Sequence, residues 1–117
     1  MDRPIETFMR LGIVHAMAFP ELATGDGPWE ETVRHIALDP LFQAIEITHI
    51  ETSQVRDRVR DLTRLARLSV VYAAHPHILG QGLNINSLDK KERTRACALL
   101  KKDLDEAIYM GAESFGI

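Results

Sequence analysis

Four short apolar runs, separated by stretches of helical periodicity, constrain this chain more than any other feature. Leu11–Ala18 (LGIVHAMA), Ala44–Thr48 (AIEIT) and Ser69–Ala74 (SVVYAA) read as strands, the third being rich in β-branched and aromatic residues. Glu113–Ile117 (ESFGI) reads as the beginning of a fourth. On average the runs start about 34 residues apart, the length of one βα unit.

Helices fill the intervals. Trp29, Val33, Ile36 and Ala37 recur at i, i+4, i+7, i+8 and share one face. Pro28 suits the first helical position, Glu30 and Glu31 suit the positive helix start, and Asp39-Pro40 ends the pattern. Val55, Val59, Leu62 and Ala66 form the stripe of a second helix, whose Arg56, Asp57, Arg60, Asp61 and Arg64 read as a solvated face. A third helix is expected to bury Ala96, Leu99, Leu100, Leu104, Ala107 and Ile108. Asp89 and Glu92 have capping-box spacing at its start, and Gly111 is placed to end it.

The order β-α-β-α-β-α-β implies parallel strands joined by right-handed crossovers. A doubly wound open sheet and a (βα)8 barrel both accept it. No Gly-x-Gly-x-x-Gly follows the first run, which argues against a dinucleotide site, and the loops Phe19–Gly27 and His75–Leu88 are long. The expectation is therefore an α/β chain forming the N-terminal half of a TIM barrel, with residues 1–117 contributing about four strands and three helices to one domain. A whole barrel needs about 250 residues. The chain is thus expected to be a fragment, or a subunit that pairs with a C-terminal half or another copy of itself.

Charge narrows the partners. Seventeen acids against 14 lysines and arginines give a net charge of −3, unlike a nucleic-acid binder. No apolar run reaches the roughly 18 residues of a membrane span, and Met1–Glu6 lacks the order of a secretion signal. A single cysteine, Cys97, excludes an internal disulfide and a cysteine zinc cage, and is expected to pack within its helix. The expected location is the cytoplasm, with no membrane or nucleic-acid partner.

In βα barrels chemistry gathers at the carboxyl ends of the strands. Four of the five histidines fall at such positions: His15 late in the first run, His49 after the second, and His75 and His77 after the third. His35 lies off its helix's apolar stripe. Glu46 alternates with Ile45 and Ile47, so it faces away from the helices, into a barrel if one forms. A carboxylate there must be paired, hydrogen-bonded or bound to a cation; it either lines a polar site or pairs with an interior Arg or Lys. The substrate-contact candidates are Glu46, His15, His49, His75 and His77. A lone strand-end histidine is more commonly a hydrogen-bonding loop residue, and His75-Pro76-His77 alone is too few ligands for zinc. Asn84 and Asn86 read as loop-shaping residues, and Arg93 and Arg95 as exposed helix residues.

The stretches His15-Ala16-Met17-Ala18-Phe19-Pro20-Glu21, Ala44-Ile45-Glu46-Ile47 and Leu83-Asn84-Ile85-Asn86-Ser87-Leu88-Asp89 resemble the xylose-isomerase-like sugar phosphate isomerase/epimerase barrels. So does the run from Leu99-Leu100-Lys101 through Asp105-Glu106-Ala107 to Met110-Gly111-Ala112. The resemblance implies a metal-dependent isomerase or epimerase acting on a sugar or sugar phosphate by proton transfer next to a carbonyl. It implies a divalent ion (Mn2+, Mg2+ or Co2+) whose ligands lie on later strands, outside this chain, so that the chain alone is inactive. Two other readings stand beside it. One is an endonuclease-IV-like zinc-dependent DNA-repair nuclease, favoured by the histidines and opposed by the acidic balance. The other is a non-catalytic sugar-binding or assembly subunit.

Overall fold

Strand pairing explains the architecture directly. The computed structural model describes residues 3–117, the side chain of Glu6 aside. Its strands are β1 (Gly12–Val14), β2 (Ala44–Ile47), β3 (Ser69–Ala73) and β4 (Ser114–Gly116). Its helices are α1 (His15–Ala18), α2 (Trp29–Leu38), α3 (Ser53–Ala66), α4 (His75–Gly80) and α5 (Lys90–Met110). The four strands form one sheet in the order β1-β2-β3-β4, with every neighbouring pair parallel. The order never reverses, so crossovers of one hand deliver all the helices to the same face. The smallest extent of the molecule is 23 Å, the thickness of one sheet and one helix layer of about 10 Å each.

The register sorts the strand residues by face. Ile13–Ile45–Val70 and Ile47–Tyr72–Phe115 are cross-strand rows on the helix side. Ile45, Ile47, Val70 and Tyr72 are buried there with Val33 and Ile36 of α2, Val59 of α3, and Ala107 and Met110 of α5. The other face carries the row Val14–Glu46–Val71–Ser114, whose members are half-buried or exposed. Gly12 lies beside Ala44 on that face, where an added Cβ would stand 3.1 Å from the Ala44 Cβ. At the amino ends of the strands, Arg10 pairs with Glu113 at 3.2 Å and also bonds Ser69, linking the approaches to β1, β3 and β4.

Four local expectations are corrected. The first run is a strand only over Gly12–Val14; His15–Ala18 then turns into one helical turn, closed by the Phe19 N–H on the His15 carbonyl at 2.8 Å. Pro28 precedes α2 rather than opening it, its carbonyl accepting the Thr32 N–H at 3.2 Å. Within His75–Leu88, expected as loop, His75–Gly80 forms α4; Pro76 near its start has the φ a first turn requires. The capping box at α5 runs through a third residue: Asp89 accepts the Lys91 N–H at 2.9 Å, while Glu92 accepts from the Ser87 hydroxyl at 2.6 Å.

A further correction bears on function. The buried face of α5 is Ala96, Asp103, Glu106, Ala107 and Met110. Leu104 and Ile108, expected inside, are 44 % and 69 % exposed, and Cys97 is exposed too. At about 100° per residue, positions 103, 107 and 110 fall within about 40° of Ala96, whereas 104 and 108 fall about 80° and 120° away. Leu99 and Leu100 are half-buried at the rim of the buried face. Gly111 ends the helix as expected, at φ 73°. Arg93, expected in solvent, is half-buried and donates to the Ser87 and Leu88 carbonyls at 2.6 and 2.9 Å.

The corrected face has a direct check. Met110→Lys, at a 1 % exposed position, is expected to cost more than about 3 kcal/mol by urea unfolding, while Ile108→Lys changes stability by less than about 0.5 kcal/mol. Equal losses would place the core on the wrong side of α5.

Candidate functional site

The inward acids of α5 assemble a polar cluster with residues from three other segments. Glu106 is its hub. Glu106 Oε1 accepts the Ile50 N–H at 2.9 Å, and Oε2 accepts from Arg56 Nη1 at 2.8 Å and from His49 Nδ1 at 2.7 Å. These bonds tie the segment after β2 and the first turns of α3 to the middle of α5. Beside it, His77 of α4 lies 2.7 Å through Nδ1 from Asp103 Oδ1. The His49 and His77 rings stack with centroids 3.9 Å apart and an 8° interplanar angle. Glu51 approaches the far nitrogen of His49, Nε2, at 3.3 Å. Tyr72, on the helix side of β3, completes the buried floor; its hydroxyl and Asp103 Oδ2 are buried without a hydrogen-bond partner among the described residues.

The electrostatics follow from these contacts. Burial alone would raise the Glu106 pKa, but the bonds from His49, Ile50 and Arg56 outweigh it and hold the carboxyl below its ordinary value. Glu106 therefore accepts as a carboxylate, which puts a proton on His49 Nδ1. The same bond is the largest influence raising the pKa of His49. Asp103 moves the other way: burial raises it more than His77 lowers it. Tyr72 is pushed well above the ordinary phenol range, by burial first and then by the two carboxylates.

The sequence candidates are divided among four places. His49 and His77 come together in this cluster, at the edge of an open cleft of about 510 Å³ lined also by Glu51, Gln81, Arg95 and Lys102. His15 is fully buried elsewhere, stacked on Trp29 at 4.2 Å. Its Nε2 lies 2.8 Å from the Thr32 hydroxyl, which itself donates to the Pro28 and Trp29 carbonyls; His15 thus donates through Nε2, and its Nδ1 has no partner among the described residues. Burial lowers the His15 pKa to about 4, partly opposed by Glu21. His75 is exposed beside Asn84, Asn86 and Ile117, on the opposite side of α4 from His77, since residues two apart on a helix diverge by about 200°. Glu46 is half-buried on the helix-free face of the sheet. His35 is exposed, and the Asn84 side chain accepts the Asn86 N–H at 2.8 Å, shaping the loop.

Asp103, Glu106, Arg56 and Tyr72 were not among the sequence candidates. The signal for the two acids is their register: Asp103 and Glu106 share the stripe of Ala96, Ala107 and Met110. An acid pair on a buried stripe demands cationic or hydrogen-bonding partners. Arg56 on α3, read as solvated, is one of them.

No family model, curated protein or solved structure matches this chain. Among the described residues, no helix is long and apolar enough to cross a membrane.

Two pH responses separate the polar groups. Stability from the raised His49 is fully present below its ordinary pKa of 6.5 and is lost as pH rises through the higher folded value. Glu106→Gln is expected to remove that decline, and to cost about 3 kcal/mol or more near neutrality by stranding Arg56. His15 acts in the opposite direction. Its folded value is about 4 against 6.5 unfolded, so stability falls as pH drops between those values. In His15→Phe that acid slope is expected to flatten. Urea midpoints from pH 4 to 9 measure both; unchanged slopes would contradict the assignments.

Proposed function

We propose that this chain supplies the first four βα units of a sugar or sugar-phosphate isomerase/epimerase barrel. The observation that carries the reading is the helix-free sheet face with a carboxylate in its central row. All helices pack on one side of an unreversed parallel sheet, as in a barrel wall. The opposite side presents Val14, Glu46, Val71 and Ser114 in one row. In a closed barrel that row faces inward, and Glu46 becomes a hydrogen-bond acceptor for a sugar hydroxyl. His75, exposed where β3 ends, is the histidine nearest to the role expected of a substrate contact. The resemblance noted in His15–Glu21, Ala44–Ile47 and Leu83–Asp89 supports the same reading.

The strand residues of that face do not make the divalent-metal site that the resemblance implies. Glu46 is the one ionisable group among them, and a single carboxylate does not hold Mn2+, Mg2+ or Co2+. The metal and the proton-transferring groups therefore belong to a C-terminal half that would close the barrel, because a second copy of this chain would add only another Glu46. The part of this chain is binding and orientation: Glu46 fixes a hydroxyl, and the apolar Val14 and Val71 flank it.

The test is solvent-deuterium incorporation next to the carbonyl of aldoses, ketoses and their phosphates. It is run on the closed barrel with each metal, and on this chain alone. Metal-dependent incorporation by the closed barrel, its absence from the chain alone, and a loss of about tenfold or more in kcat/KM for Glu46→Gln are expected. No incorporation with any sugar, or cleavage of abasic DNA in its place, would sink the reading.

A further inference from the structure

We propose that His49, His77 and Asp103 form a binding site for a transition-metal dication of the Zn2+ class, separate from the helix-free face of the sheet. One ligand atom from each residue lies within 4.8 Å of the others. Ligands about 2.1 Å from a tetrahedral ion stand about 3.4 Å apart, so the widest pair has to close by at most about 1.4 Å. The donors come from different segments: His49 follows β2, His77 lies on α4, and Asp103 lies in the middle of the long α5. Asp103 is buried on the long α5 while both histidines are half-buried at the cleft, so that adjustment falls to the histidine side chains.

Three further observations point to a cation. Asp103 is 1 % exposed, and its Oδ2 has no hydrogen-bond partner among the described residues. A desolvated carboxylate oxygen with no donor is costly, and a coordinated cation offsets that cost. Positive charge is also unevenly placed. Asp103 and Glu106 are both buried; Arg56 bonds Glu106, while Asp103 is met by the His77 imidazole and by no lysine or arginine among the described residues. Finally, Glu106 holds His49 by Nδ1, the outer carboxylate support that fixes a ligating imidazole and leaves Nε2 for a metal. Glu51 Oε2, 3.3 Å from that Nε2, stands where a fourth ligand would come from.

The donor set selects the ion. Two imidazoles and a carboxylate suit Zn2+, Fe2+ or Ni2+ better than Mg2+ or Ca2+, which prefer oxygen alone. Access is through the open cleft of about 510 Å³ at His49 and His77. The proposal does not depend on the isomerase reading, because none of its ligands lies on the face that reading uses.

Calorimetric titration of the full chain with Zn2+, paired with NMR of the histidine ring nitrogens, tests it. Saturable one-to-one binding is expected, with large ring-nitrogen shifts confined to His49 and His77 and none on adding Mg2+. His77→Gln and Asp103→Asn are each expected to weaken binding about a hundredfold. Absent or non-stoichiometric binding overturns the proposal, as do shifts at His35 or His75 instead, or variants that keep their fold and bind as before. Should either variant unfold, the ring-nitrogen pattern of the unaltered chain still decides.

Discussion

An unreversed sequence of parallel strands is the constraint from which the rest of this structure follows. Each strand lies beside the one that precedes it, and each connection must cross above the sheet with the same hand. The helices therefore gather on one side and bury Ile45, Ile47, Val70 and Tyr72. The same rule leaves Glu46 and its row without a helical cover. One topological fact thus produces both an apolar core and a face whose polar residues are free for other purposes.

Within the helical layer, a buried carboxylate joins the parts. Glu106 receives bonds from a backbone amide, a guanidinium and an imidazole, each from a segment distant in sequence. Val33, Ile36 and Val59 bring α2 and α3 into the apolar core, whereas α5 adds Asp103 and Glu106 to its apolar Ala96, Ala107 and Met110 on the inward side. Two buried acids would oppose folding unless partners met them; Arg56, His49 and His77 do so. The geometry of α4 matters here. Turning His77 toward Asp103 sends His75 to the opposite side, so neighbouring histidines serve different surroundings.

Much of the fold was legible because strand alternation and βα spacing depend on local pattern. The four strand positions, the stripes of α2 and α3 and the outward aim of Glu46 relative to the helices follow from periods of two and of 3.6, and the end of α2 and both ends of α5 follow from Asp39-Pro40, Asp89 and Gly111. The polar cluster was hidden for a physical reason. Hydrophobic periodicity locates a buried face by its apolar members, and α5 buries Asp103 and Glu106 while exposing Leu104 and Ile108. Counting leucines rotated the helix by about a sixth of a turn. His15 misled in another way: its place after Gly-Ile-Val looked like a strand tip, yet the chain coils there and folds the imidazole against Trp29. His49 and His77, both singled out in the sequence, lie side by side, but their carboxylate partners Glu106 and Asp103 are 57 and 26 residues further along the chain, beyond any local pattern.

The pairing of each strand with its immediate predecessor also bears on how the chain acquires its shape. Every sheet contact can form as soon as the next unit is made, with no wait for a distant segment. A nascent polypeptide emerging from the ribosome could add one unit at a time to an existing edge, a route that keeps loop-closure costs modest. Side-chain contacts reach further: the partners of Glu106 at the end of β2 and on α3 precede it by 50 to 57 residues, and Arg10 precedes Glu113 by 103. Glu106 follows β1, β2 and β3 in the chain, so the buried charge cluster fastens α5 over three strands that can already be paired.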